Sequence, residues 1–277
     1  MHIVKFTKMH GAGNDFILVD DRAGTFPVHD HLRLAAFAAP RTGIGCEGVI
    51  LVQTSTRADF RMVFFNPDGT EADLCGNGSR CVAAFAREIG AAKGSAMTFE
   101  TRAGLVDAEV MSGGQVKVWM PEPKGRRYDL SVCGRSGDFI VAGVPHFVVA
   151  CDNVANVDVD GEGRAIRLAE EFSPDGTNVD FVKYISPNRA VMRTYERGVE
   201  AESGACGTGA VAVAVIGVER KGMSLPMRIR TSHGFDLIVD GDWRRSKSTG
   251  FTLTGPVKRV FDGSLDLDAL DVSGEME

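Results

Sequence analysis

Two short stretches of this chain look like copies of one device, and that repetition limits the folds open to it more than any other feature. Cys75-Gly76-Asn77-Gly78 and Cys206-Gly207-Thr208-Gly209 each place a cysteine directly before a Gly-x-Gly turn. Each turn opens a small-residue, apolar helical run, through Val82, Phe85 and Ile89 in the first case and from Val211 to Val218 in the second. The surroundings repeat as well. A glutamate stands four residues upstream of each cysteine, Glu71 and Glu202. Downstream, Thr101-Arg-Ala-Gly104, a strand pattern and Val116 to Pro121 are answered by Thr231-Ser-His-Gly234, a strand pattern and Phe251 to Pro256. The cysteine-to-threonine separations, 75 to 101 and 206 to 231, differ by one residue. Self-similarity at so long a period predicts two halves of like build, a pseudo-two-fold molecule with a cleft between them.

The rest of the chain reads as an α/β (α+β) protein. Strand patterns run over Ile3 to Met9, Phe16 to Val19, Val49 to Val52, Phe60 to Phe65, Met97 to Thr101, Leu105 to Val110 and Val116 to Met120. They resume at Phe139 to Val141, Phe147 to Ala150, Val179 to Tyr184 and Val191 to Tyr195. A helix is expected from an Asp30 cap to Ala38, stopped by Pro40, and another from Arg164 to Phe172. The Pro, Lys and Arg cluster at 121–127 marks the expected boundary. It separates an N-terminal half, residues 1–121 completed by 257–277, from a C-terminal half, residues 122–256. The acidic tail from Asp262 is the one candidate for low complexity.

Several functions are disfavoured. A net charge of -6 and a pI near 5.6 argue against nucleic acid as the main partner. Charged and polar residues recur from Lys5 to Asp15, so a signal peptide is not expected, and no run approaches a membrane span. Six cysteines without an export signal are expected to stay reduced in the cytoplasm. There is no Cys-x-x-Cys, and no structural metal is expected. Gly11-Ala-Gly13 lacks the third glycine of a dinucleotide loop, Phe16 standing in its place.

A cysteine at a helix start has a chemical advantage. Unpaired amides and the positive end of the helix dipole favour thiolate over thiol, and the same amides cradle an anion. Inverting a carbon that bears an acidic hydrogen needs an acid/base group on each face, and a thiolate with a thiol can serve without pyridoxal. Two amide cradles aimed at the neighbouring carboxylate would stabilise the carbanion where its charge develops. Blander readings apply elsewhere. Cys46, Cys81, Cys133 and Cys151 read as packing residues, His146 as a hydrogen-bonded structural histidine, and Asn66-Pro-Asp-Gly69 as a turn. Glu196-Arg197 reads either as an exposed ion pair or as a pair reaching the cleft.

These residues resemble a known family. Met9-His-Gly-Ala-Gly-Asn-Asp-Phe16, Asn66-Pro-Asp-Gly-Thr-Glu71, Cys75-Gly-Asn-Gly-Ser-Arg80, Gly143-Val-Pro-His146, Asn178-Val-Asp-Phe181, Tyr195-Glu-Arg-Gly198 and Ala205-Cys-Gly-Thr-Gly209 are similar to diaminopimelate epimerase. The resemblance runs from residue 4 to about 262 and implies a cofactor-independent epimerase of LL- and meso-diaminopimelate in bacterial lysine and cell-wall synthesis. It implies two pseudosymmetric halves, each a mostly antiparallel sheet or barrel wrapped around a central helix. It also implies Cys75 and Cys206 as the acid/base pair, with backbone amides of Gly76, Asn77, Gly207 and Thr208 on the reacting carboxylate. Asn14, Asn66, Asn178, Glu196 and Arg197 would bind the substrate, and His146 would lie near the thiols. The chain departs from the commoner pattern at Val144, where the family often has Asn, at Cys46-Glu47 and over Val199 to Gly204. The expected partner is a small amino acid, with a homodimer left open. A racemase of another amino acid, such as histidine or a hydroxyproline, and a non-catalytic amino-acid-binding relative remain the alternatives.

Overall fold

The structure is a computed structural model that describes residues 2–73, 75–241 and 250–272. Its contacts divide the chain into two units, Met1–Val118 with Pro256–Glu277, and Trp119–Gly255. Each unit is a mostly antiparallel sheet around one buried helix.

In the first unit, β1 (Ile3–Gly11) turns back into β2 (Asn14–Asp20) through Ala12 and Gly13, both at positive φ. That two-residue turn twists as the strands do. The chain then crosses over through α1 (His31–Ala38) to β3 (Val49–Gln53), which lies parallel to β2. A parallel neighbour requires such a crossover. The antiparallel β4 (Phe60–Phe65) and the short β5 (Glu71–Ala72) lead into α2 (Gly76–Glu88). The strands β6 (Ala96–Thr101), β7 (Gly104–Val110) and β8 (Gln115–Trp119) follow. Helix α2 packs against β1, β2, β3, β4 and β7, which explains why residues 76–86 are buried on every side.

The second unit repeats this order. It comprises β9 (Lys124–Val132), β10 (Arg135–Ala142), β11 (Val144–Ala150), α3 (Val159–Arg167), β12 (Asn178–Ser186) and β13 (Arg189–Glu196). Then come β14 (Ala201–Ser203), α4 (Gly207–Arg220), β15 (Met227–Arg230), β16 (Asp236–Asp240) and the start of β17 (Thr252–Asp266), whose residues from Pro256 onward belong to the first unit. Strand β12 is parallel to β11, as β3 is to β2, and β15 is parallel to β13, as β6 is to β4. Helix α4 packs against β10, β11, β12 and β16. The start of β17 pairs with β16, and Val257 to Asp266 pair with β1.

Three expectations are corrected. The helix expected over Arg164 to Phe172 starts earlier, at Val159, where Asp158 caps it by accepting from the Gly161 amide at 3.0 Å; Glu170–Phe172 is only a 3-10 turn. The acidic segment after Asp262 continues as strand to Asp266, and Leu267 beyond it is buried; residues 273–277 lie outside the described residues. Cys133 does not pack. It sits exposed at φ +50° in the β9–β10 turn.

The Asp30 cap of α1 accepts from the Arg33 amide at 3.0 Å. Asp30→Ala should therefore lower stability by about 1 kcal/mol, read as a lower denaturation midpoint with an unchanged m value.

Candidate active site

Cys75 is the N-cap of α2, in extended backbone, and its sulfur accepts from the Gly78 amide at 3.4 Å. The short N-cap and the glycines put the sulfur against the unpaired amides of the first turn. Asn14, which opens β2, joins this group. Its Oδ1 accepts from Asn77 Nδ2 at 3.1 Å and lies 3.9 Å from the Cys75 sulfur. The Asn14 amide donates in turn to Glu47, which precedes β3. Behind them lies Arg80, 0% exposed, donating from Nη2 to Asn77 Oδ1 at 2.6 Å and from Nη1 to the Gly76 carbonyl at 3.3 Å. Burial pushes the Arg80 guanidinium down to about 10, so it remains a cation at neutral pH. Asn66 donates to Thr70 Oγ1 at 3.1 Å within its own turn.

Cys206 caps α4 in the same extended backbone, and is buried. Its sulfur lies 3.4 Å from Thr208 Oγ1. Thr208 Oγ1 is 3.0 Å from His146 Nε2, and His146 Nδ1 is 2.7 Å from Asp180 Oδ2. Both His146 and Asp180 have 0% side-chain exposure. Asp180 also accepts from Thr194 Oγ1 at 2.7 Å. The tautomer follows from a donor count. Asn178 Oδ1 accepts from the Arg197 amide at 2.7 Å, so its Nδ2 is the atom 3.4 Å from His146 Nε2. A donor facing Nε2 makes that nitrogen an acceptor and puts the ring proton on Nδ1, toward Asp180. Thr208 then gives its hydroxyl proton to Nε2 and can accept the Cys206 S–H.

The other predicted residues take their places in the second unit. Glu196, half-buried at the end of β13, acts on Cys206 through its charge. The Arg197 guanidinium donates to the Asp175 carbonyl at 3.1 Å. Burial pushes the Cys206 thiol well up, and the charges of Glu196 and Asp180 push it further. Among the remaining cysteines, burial raises the Cys46 thiol to about 11 and the Cys81 thiol well up, as expected of packing residues. Sequence reading missed Arg80, Asp180 and Glu47. The signal for the first two lay inside the quoted motifs, as charged residues on otherwise apolar element faces. Among the described residues, no group of three His, Cys, Asp or Glu side chains converges as a metal site, and no helix is long and apolar enough to cross a membrane.

Comparison with known proteins agrees with this architecture. Among solved structures, a phenazine biosynthesis protein of the PhzF family from Bacillus anthracis superimposes with a TM-score of 0.74 at 18% identity, over 96% of this chain and 99% of that one. A hydroxyproline epimerase from Agrobacterium vitis superimposes with a TM-score of 0.64 at 19% identity, over 95% and 92%. At such identities the likeness shows the fold alone. Sequence relatives go further. A diaminopimelate epimerase from Aquifex aeolicus is 42% identical over 97% of this chain and all of its own length, and one from Chlorobaculum tepidum is 39% identical over 94% and 100%. The family model for diaminopimelate epimerase matches residues 6–124 and 139–260. With that model covering both cysteine helices and their sheets, the chain belongs to the diaminopimelate epimerase family.

Proposed function

We propose that the chain interconverts LL- and meso-diaminopimelate by two-base proton transfer, with Cys75 and Cys206 acting on opposite faces of one α carbon. The observation that carries this reading is the matched placement of the cysteines. Each is the N-cap of a buried helix, with its sulfur beside the first-turn amides or hydroxyl. In the forward step the thiolate removes the α hydrogen and the opposing thiol delivers its proton to the other face. The sulfurs exchange roles for the return. The amides of Gly76, Asn77, Gly207 and Thr208 receive the carboxylate as charge moves onto its oxygens. Losing a preorganised donor of this kind costs on the order of 3 kcal/mol of barrier. Asn14, Asn66, Asn178, Glu196 and Arg197 hold the substrate, Arg197 by its fork on the distant carboxylate and Glu196 by its charge on the distant ammonium. His146 acts on Cys206 through Thr208.

The test is hydrogen exchange at the α carbon in deuterated water, over a panel that includes diaminopimelate, histidine and hydroxyproline. Deuterium is expected in diaminopimelate, with inversion. Absence of exchange there, or faster exchange into another amino acid, rejects the substrate assignment.

A further inference from the structure

Because the two units share strand registers, each residue beneath one cysteine has a counterpart beneath the other. Ile17 pairs with Val49 as Phe147 pairs with Val179, and Val49 faces Phe65 as Val179 faces Tyr195. Phe65 faces Glu71 as Tyr195 faces Glu202. Counting along the strands, Phe16, Ile50 and Phe64 therefore match His146, Asp180 and Thr194, and counting along the helices, Arg80 matches Val211. The glycines of the first turns confirm the match. A Cβ on Gly78 would meet Ile50 Cδ1 at 3.0 Å, and one on Gly209 would meet Asp180 Oδ1 at 2.5 Å. The same site is thus furnished in opposite ways. Under Cys75 lie hydrocarbon and a buried cation; under Cys206 lie a buried carboxylate and its histidine.

Arg80 has no carboxylate partner among the described residues, and its Nε is buried without a hydrogen bond. A buried cation without a counter-charge is costly, so an anion nearby is favoured. The sulfurs that interact with it electrostatically are those of Cys81 and Cys75. Burial holds Cys81 as a thiol, which leaves Cys75. The acidic groups around α2 have other partners: Asp15 is met by Lys8 at 2.6 Å, Asp20 by Arg22 at 2.6 Å, Glu109 by Lys117 at 3.4 Å, Asp107 accepts from Thr98 Oγ1 at 2.6 Å, and Glu47, just before β3, accepts from Asn14. Around α4, Asp138 is met by Arg220 at 4.0 Å, and Asp236 by Arg228 and Arg230 at 3.0 Å. That leaves Asp180, His146 and Glu196 to act on Cys206.

We propose that Arg80 and Asp180 are positioning residues of opposite charge that give the two cysteines opposite resting protonation. Arg80 favours the thiolate at Cys75. Asp180, by fixing the His146 proton on Nδ1, turns the Thr208 hydroxyl toward Nε2 and leaves its oxygen to accept the Cys206 S–H. The proposal rests on the two-cysteine reading of the site and explains how a repeated fold enters turnover with one base and one acid in place, rather than two of either.

Iodoacetamide alkylation of the substrate-free chain across a pH series, resolved by peptide mass spectrometry, gives each cysteine its own midpoint. Cys75 is expected to be half-alkylated at a lower pH than Cys206. Arg80→Met and Arg80→Gln should raise the Cys75 midpoint by about one pH unit or more and leave that of Cys206, while Arg80→Lys keeps it low. Asp180→Asn should lower the Cys206 midpoint alone, because it removes the buried anion whose charge disfavours the thiolate. Coincident or reversed midpoints in the unaltered chain, or variants that move neither midpoint or both together, overturn the proposal. The readout needs no turnover. A chain that does not exchange diaminopimelate yet shows these midpoints loses its assigned substrate and keeps the charge asymmetry.

Discussion

Alanine in place of Cys75 or Cys206 is expected to reduce turnover by at least about a thousand-fold, with the fold and the affinity for substrate largely kept. The reason is specific to sulfur. A two-base inversion has no route around a missing acid or base, since water in a closed site has no fixed partner to orient it. Serine sharpens the test. Serine is among the preferred N-cap residues, whereas the Cys75 sulfur makes a long contact of 3.4 Å with the Gly78 amide. Cys75→Ser should therefore be at least as stable as the unaltered chain, yet as inactive as the alanine variant, because a hydroxyl is too weak an acid to supply a base at neutral pH. The measurement is epimerisation rate alongside thermal midpoint. An active serine or alanine variant at either position would end the two-thiol mechanism, whatever its stability.

The second large effect lies in the buried group under Cys206. His146→Leu should lower the unfolding free energy by about 3 kcal/mol, because it removes the imidazole from the buried Asp180 carboxylate and leaves it the Thr194 hydroxyl as its side-chain donor among the described residues. The other unit points to the remedy. There the same three strand positions carry Phe16, Ile50 and Phe64, an all-apolar set with the Phe16 and Phe64 rings 6.1 Å apart. The combination His146→Leu, Asp180→Val and Thr194→Val should accordingly recover most of the lost stability, since a buried polar group replaced as a whole by hydrocarbon of similar volume is often neutral. Activity should not return with it. Chemical denaturation of the single and triple variants checks the first claim and isotope exchange the second. A triple variant as unstable as the single one would show that the site depends on its polar network for folding.

Much of this protein was legible because its signals are local. The two Cys-Gly-x-Gly helix starts, the apolar helices behind them and most strands follow from spacing over ten or so residues, and the chain folds accordingly. Where spacing misled, a distant contact had overruled it. Helix α3 contains Gly161 and Gly163, which read as helix breakers. Gly163 is there because a Cβ at that place would lie 2.4 Å from Tyr195 Cβ, a residue on another strand. Strand β9 is exposed along most of its length and shows no alternation, so its Lys124 to Arg127 stretch reads as part of a domain boundary rather than as strand.

By itself the sequence determined the family, the α/β class with its two repeated halves, and which two cysteines begin buried helices, since each of these is written in residue types and short spacings. Only the tertiary structure decided what charge lies under each cysteine. Arg80 sits five residues from Cys75 on one helix, but Asp180 reaches the neighbourhood of Cys206 through His146, 34 residues away on the neighbouring parallel strand. Protonation depends on distance through space and on removal from water, and both are set when strands take their register, not when residues take their order.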